Sequence, residues 1–306
     1  MPDHRRDALD VSGSPLSRTD LAGMTGLRWL HVDVFAHAPF TGNAVAVFPE
    51  AGALRAEQML ALTQELRVFE AIFLSQPGSD GSVSARIFTA EEELTFAGHP
   101  ILGAAAALQY LDETGSCSDR VFTLDGRPLS VAVSVAGGTY TAEMDQGVAH
   151  VGTPLSEQDT LSLLGHLGLE RHHLAPGLWP AMATTGLPYL IVPVVPEGLE
   201  QARIHGDGLE KEMARSGGKF VYVLDVQNCE GRSWDNLGQV EDIATGSAAG
   251  PAAEYLWRHT DAPNPLVVHQ GRFTGRPSEI QVRKDTGSGH IFVAGQAIVL
   301  AEGRIL

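Results

Sequence analysis

The chain has 306 residues, enough for two domains with ample cores, and 43% hydrophobic with 19% charged residues is the composition of an ordinary globular protein, not a disordered one. With 21 Lys and Arg against 37 Asp and Glu, the net charge of −16 argues against nucleic-acid and anionic-membrane partners. An anionic substrate must then be captured locally, by helix ends.

Residues 1–26 contain Arg5, Arg6, Ser, Pro and Gly but no continuous apolar core of the signal-peptide kind, and are expected to form a mobile extension of a cytoplasmic protein. No later apolar run is long enough and free enough of Pro, Gly or charge to span a bilayer. His31 to Phe35 alternates as a strand, Pro39 to Asn43 is a turn, and Ala44 to Phe48 is a second strand. Arg55 to Leu66 carries Met59, Leu60, Leu62 and Leu66 at near-helical spacing, and the apolar run Val68 to Leu74 follows, interrupted by one carboxylate, Glu70. A charge in such a segment is costly unless paired or used. Taken alone, Glu70 reads more simply as a strand-end residue facing solvent.

Val83 to Thr89 alternates as a strand, and Glu91-Glu92-Glu93 is a turn that by default is solvated. Val121 to Leu124, Leu129 to Val135 and Tyr140 to Met144 read as antiparallel strands with a Gly137-Gly138 turn. Leu155 to Leu169 is an amphipathic helix, Ala183 to Val195 a turn and strand, Leu199 to Ala214 loosely helical, and Lys219 to Asp225 a strand. Leu266 to Gly271, Ser278 to Val282, His290 to Ala294, Ala297 to Leu300 and Arg304 to Leu306 complete the strands. Short links and no visible crossover helices predict mainly antiparallel pairing. Cys117 and Cys229 lie in polar, loop-like surroundings and read as free thiols, and His166, His172 and His173 read as a solvated helix end without Cys or acidic partners to frame a metal.

Two stretches organise the chain. Glu93 to Leu111 runs through Phe96-Ala97-Gly98-His99-Pro100 into an Ala- and Leu-rich helix with no face for water. Glu241 to Leu256 repeats the construction with Asp242-Ile243-Ala244-Thr245-Gly246-Ser247-Ala248. A single offset aligns Glu93 with Glu241, Gly98 with Gly246, His99 with Ser247, Ala104 with Ala252 and Leu108 with Leu256, and Gly42 to Glu50 faintly echoes Gly186 to Pro193. Two related halves follow. The helix starts leave backbone N–H groups without intrahelical partners, at the positive end of the dipole.

Asp33-Val34-Phe35, Pro39-Phe40-Thr41-Gly42-Asn43, Glu70-Ala71-Ile72-Phe73, Phe96-Ala97-Gly98-His99-Pro100, Thr185-Gly186, Glu241-Asp242, Ala244-Thr245-Gly246-Ser247-Ala248 and Gly275-Arg276-Pro277-Ser278 occur in the order seen in one family. From about residue 28 onward, the chain resembles the PhzF-like phenazine-biosynthesis isomerases, relatives of the diaminopimelate-epimerase fold. The resemblance implies an α+β protein of two pseudo-symmetric domains, each a curved, mainly antiparallel sheet around a central buried helix, with an active cleft between them and commonly a homodimer. The halves are expected at residues 27–145, with strands in 292–306 returning to the first, and 146–291. Carried over, the family's acid/base carboxylate falls on Glu70, and His99, Asp242 and Ser247 join it as catalytic residues. Asn43, Gly98, Thr245, Gly246 and Ala248 are expected to bind substrate. For Asp242, capping the second helix and catalysis are equally good readings, and both can hold at once.

The fold's epimerases carry a cysteine before each helix-start Gly; here those positions are Ala97 and Thr245, so two-thiol racemisation has no nucleophiles. What survives is a carboxylate expected to move a proton, and so a double bond, within a small unsaturated cyclic carboxylic or amino acid, without metal or other cofactor, in specialised-metabolite biosynthesis. Phe69, Ile101 and Ile243 replace the family's usual Ser, Thr and Pro. If Phe69 packs beside Glu70, it favours the protonated carboxyl, and the pocket is expected to be more apolar and to take a different substrate. The competing readings are a non-catalytic small-acid binding protein and a cofactor-free epimerase.

Overall fold

The computed structural model describes residues 23–112, 117–206 and 208–306, so most of the expected N-terminal extension lies outside the described residues. Among them are six α-helices and sixteen strands. The described residues divide into two compact units: the first holds 23–34, 44–112, 117–142 and 296–306, the second 35–43, 143–206 and 208–295.

In the first unit, β1 (Arg28–Val34), β2 (Asn43–Phe48), β3 (Glu70–Leu74), β4 (Val83–Phe88), β6 (Cys117–Leu124) and β7 (Arg127–Ala136) are successive neighbours, and the two-residue β5 (Glu93–Leu94) pairs with β4. β2 and β3 are parallel, with Val45 opposite Glu70, and helix α1 (Ala56–Leu66) makes the crossover. β3 and β4 are antiparallel; β4 and β6 are again parallel, joined through helix α2 (Gly98–Asp112). Crossover helices are therefore present, contrary to the sequence reading: the helices expected from periodicity are themselves the crossovers, and the sheet is mixed.

At the start of α1, Gln58 Oε1 accepts the Arg55 N–H, and the helix buries Met59, Leu60 and Leu62 against Phe48, Phe73 and Phe88. Phe48 and Phe73 stack at 4.6 Å, and Phe73 meets Phe88 edge-on at 5.7 Å. α2 packs on β1, β3, β6 and β7 and is buried continuously from Gly98 to Ala107, as its composition requires. Gly103 sets the spacing: a Cβ there would stand 2.6 Å from Val45 Cγ1 and 3.0 Å from Val34 Cγ2.

In the second unit, β9 (His150–Pro154), β10 (Ala181–Thr184), β11 (Pro188–Val194), β12 (Phe220–Asp225), β13 (Glu230–Arg232), β14 (Leu266–Gln270), β15 (Ser278–Lys284) and β16 (His290–Arg304) are neighbours in reverse of that path. β11 and β12 are parallel, β12 and β13 antiparallel, and β13 and β14 parallel. The loosely helical 199–214 stretch is two helices, α4 (Pro196–Gln201) and α5 (Leu209–Arg215), and α3 (Glu157–His166) joins them over β11 and β12 to bury Leu163, Leu199, Met213, Val192 and Val223. Helix α6 (Gly246–His259) packs on β9 to β12, β14 and β15. β8 (Thr139–Val148) runs in sequence from one unit into the next, and the three C-terminal strands expected separately are one, β16, whose last residues pair with β1. Residues 35–43 are tied to the second unit by Glu279 N–H donating to Phe35 O and by Arg276 donating to Gly42 O and Thr41 O.

Candidate active site

In the first unit, Glu70 opens β3 and is 7% exposed, which rules out the solvent-facing strand-end reading. Across from it, the start of α2 brings in His99, 6% exposed, with Nδ1 3.6 Å from Glu70 Oε2. That separation is an ion pair only if the imidazole is charged. Burial pushes the His99 pKa down to about 3, opposed by a hydrogen bond to the Ala44 backbone, so at neutral pH a neutral ring faces the carboxyl group. His99 Nε2 is buried without a hydrogen-bond partner among the described residues. Phe69 is 44% exposed. It stands in the bend that leads into β3. Ile101 is fully buried in α2.

The acidic approach to α2 is not merely solvated. Arg86 on β4 grips Glu93 with two parallel bonds, Nε–Oε1 and Nη2–Oε2, both 2.7 Å. The approach to α6 repeats this in the second unit: Arg232 on β13 binds Glu241 through Nε–Oε1 at 2.8 Å and Nη2–Oε2 at 2.7 Å. Arg232 is 1% exposed, gives Nη1 to Leu199 O and Ala202 O, and lies between the rings of Trp234 and Phe273.

Next to Glu241, the Asp242 carboxylate accepts from Thr245 Oγ1 at 2.7 Å and from Asn43 Nδ2 at 3.2 Å. Backbone bonds from Ala244 and Ile243 add to these, and all four lower its pKa against a larger upward push from burial, leaving it raised. Asp242 does not cap the helix: Thr245 occupies the N-cap position of α6, without a side-chain cap bond. Gln270, buried at the end of β14, donates to Asp242 O and Thr245 Oγ1 and accepts from Thr245 N–H and Tyr222 Oη.

Thr245 and Asn43, expected to touch substrate, therefore direct their polar groups to Asp242. Ser247 Oγ is 2.7 Å from Tyr189 Oη, and Gln146 Nε2 donates to Gly246 O. Ala248 is fully buried, and its N–H is bonded to Thr245 O at 3.0 Å. Pro251, within α6, removes the N–H that would have bonded the Ser247 carbonyl. Gly98 and Gly246 are both buried at their helix starts.

The described residues hold no group of three or more His, Cys, Asp or Glu placed to bind a metal. His173 is not part of a solvated end: it is 5% exposed, and its Nδ1 accepts the Glu170 N–H at 2.9 Å. Cys117 and Cys229 are both free. No described helix is long and apolar enough to cross a membrane.

In the first unit, a buried carboxyl beside a neutral imidazole at a Gly-started helix is suited to proton transfer; the second unit carries, at another such helix, a hydrogen-bonded Asp and a Ser. The family model for phenazine biosynthesis-like proteins matches residues 32–303. The chain belongs to this family. Trans-2,3-dihydro-3-hydroxyanthranilate isomerase of Pseudomonas aeruginosa is 33% identical to this phenazine biosynthesis-like protein, over 90% of this chain and 98% of its own. An isomerase of Escherichia coli, named YddE and uncharacterised, is 29% identical over 88% of this chain and 95% of its own. A solved structure of Pseudomonas aeruginosa, described as that of a predicted epimerase, superposes with a TM-score of 0.85 at 44% identity, covering 92% of this chain and 99% of that one. A PhzF-family protein of Bacillus anthracis shares the fold at a TM-score of 0.80 and 21% identity, over 92% and 100% of the two chains. Like these relatives, the family member described here is an isomerase.

Sequence reasoning missed Arg232, Gln270, Tyr222 and Tyr189. The repeat gave no signal for the first, since its single offset aligns Arg86 with Trp234. The others are ordinary strand residues until the fold brings them to Asp242 and Ser247.

Proposed function

We propose that the protein is a cofactor-independent isomerase that moves a proton, and with it a double bond, within a small unsaturated cyclic carboxylic or amino acid. The observation that carries this reading is the buried Glu70 carboxyl beside a neutral His99. As a carboxylate, Glu70 takes a proton from a carbon conjugated with a carbonyl or carboxyl group. The electron pair passes into the conjugated system, and the resulting carboxylic acid returns the proton at another carbon, so neither oxidant nor reductant is needed. The resemblance assigns assistance of protonation to His99 in the first unit and Asp242 in the second, and holding of the acid group to Ser247 and the backbone N–H groups of the helix starts. Asn43 and Thr245 position Asp242.

The same order of parallel and antiparallel pairings in each unit, with the single offset between the helix motifs, supports an internal duplication with pseudo-symmetric halves. A cytoplasmic homodimer serving specialised-metabolite biosynthesis is the setting proposed for it, with neither nucleic acid nor membrane as partner.

Trans-2,3-dihydro-3-hydroxyanthranilate, named for the Pseudomonas aeruginosa relative, is the first compound to test. The purified protein, incubated in deuterated water with it and with related cyclic dihydro amino acids, is expected to give a positional isomer. Tight binding of several such acids without isomerisation or label exchange would favour a non-catalytic binding protein instead. Inversion at a single carbon would favour an epimerase.

A further inference from the structure

We propose that Gln270 is a positioning residue: its amide forces the Thr245 hydroxyl to give its proton to Asp242, and so holds Asp242 as an acceptor. The relevance of Asp242 to turnover rests on the function proposed above; the hydrogen-bond direction does not.

The direction follows from groups that can act in one way only. A main-chain N–H donates, so the Gln270 atom 3.1 Å from Thr245 N is oxygen, and the same oxygen accepts from Tyr222 Oη at 3.1 Å. Nε2 is thereby turned to the other side, where it donates to Asp242 O and to Thr245 Oγ1, both at 2.9 Å. With its oxygen receiving that bond, the single hydroxyl proton of Thr245 is left for Asp242 Oδ2, 2.7 Å away. Asn43 is fixed by the same logic: its Nδ2 lies 3.4 Å from Ala244 O, a carbonyl that can only accept, so the group 3.2 Å from Asp242 Oδ1 is a donor too. Backbone bonds from Ala244 and Ile243 complete a ring of donors around a carboxylate that burial alone would protonate.

Other ionisable groups near this cluster do not supply that balance. Tyr222 on β12 stays a neutral phenol, its pKa raised by burial and by the charge of Asp242, with Tyr189, Glu230 and Cys229 adding in the same direction. Arg232 on β13 spends its charge on Glu241 through two bonds. The Thr245 hydroxyl is therefore the short, orientable donor, and Gln270 sets its orientation. Gln270 is 2% exposed, with its oxygen and both directions of its amide nitrogen occupied, and is not expected to touch a ligand.

The test needs no substrate. In the full chain labelled with 13C at aspartate carboxyls, the Asp242 signal is assigned by its loss in Asp242→Asn, and its titration midpoint is followed in Gln270→Met, Thr245→Val and the double variant. Each single change is expected to raise the midpoint by about one pH unit, roughly a tenfold gain in proton affinity. The double variant is expected to match Thr245→Val, because Gln270 acts through the hydroxyl. Thr245→Ser, which keeps the hydroxyl, is expected to retain the wild-type midpoint. An unshifted midpoint in Gln270→Met, or shifts that add in the double variant, would overturn the proposal. If Gln270→Met does not fold, the near-isosteric Gln270→Glu serves: its shift is expected to be larger with Thr245 present than in the Thr245→Val background, and equal shifts would overturn it. A negative result here leaves the role of Glu70 untouched, since that role is read from isomerisation.

Discussion

His99 presents Nδ1 to Glu70 Oε2 at 3.6 Å, and burial holds its imidazole neutral, with a pKa of about 3. A histidine whose folded pKa lies below its unfolded value of about 6.5 makes the unfolded chain the better proton binder between those two pH values. The contribution of His99 is then complete above about pH 6.5 and is lost as the pH falls toward 3, at up to about 1.4 kcal/mol per pH unit. Denaturant melts across this window are expected to show a shallower fall for His99→Gln than for the wild type. Parallel slopes would mean that His99 is protonated in the folded protein.

Two ion pairs are expected to differ widely in worth. Arg232 is buried between aromatic rings and bonds both Glu241 oxygens and two backbone carbonyls, whereas Arg28 and Glu302 meet with about a third of each side chain exposed. Removing one partner of a buried pair leaves the rest uncompensated, so Arg232→Met is expected to cost about 3–5 kcal/mol, while Arg28→Met costs about 0–1 kcal/mol. Urea unfolding measures both.

Gly103 gives a test of packing in which two effects have opposite signs. Helix propensity alone would make Gly103→Ala stabilising by about 1 kcal/mol. A Cβ 2.6 Å from Val45 Cγ1 would force helix α2 away from β1 and β2, which is expected to win and leave a net loss of about 1–2 kcal/mol in thermal or chemical melts.

Tyr189 supports Ser247 through a single 2.7 Å hydrogen bond. If Ser247 holds the substrate's acid group, Tyr189→Phe is expected to raise KM by about 3–10-fold with kcat little changed, the size of one neutral hydrogen bond. A fall in kcat at constant KM would instead place the pair in the chemical step.

The parts legible in the sequence were those governed by local pattern. α2 and α6 were visible because an Ala-rich run with no polar face can only be buried, and α1 because its leucines recur at helical spacing. The two-residue β5 and three-residue β13 are too short for periodicity to register. Parallel pairing was missed because it depends on which strands become neighbours after a crossover, a long-range property. In the site, Glu70 drew attention as a charge in an apolar run, and His99 and Ser247 as matched positions in a repeat. Gln270 and Tyr222 gave no such signal, since each gains its meaning from residues remote in sequence.

The central claim, that one buried carboxyl carries hydrogen between two carbons, is tested most directly by comparing wild type and Glu70→Gln with the same substrate in deuterated water, following label and product by NMR. The wild type is expected to deliver the isomer, while Glu70→Gln binds the substrate with similar affinity but turns over about 10²–10⁴-fold more slowly. Isomerisation by Glu70→Gln at the wild-type rate would contradict the account.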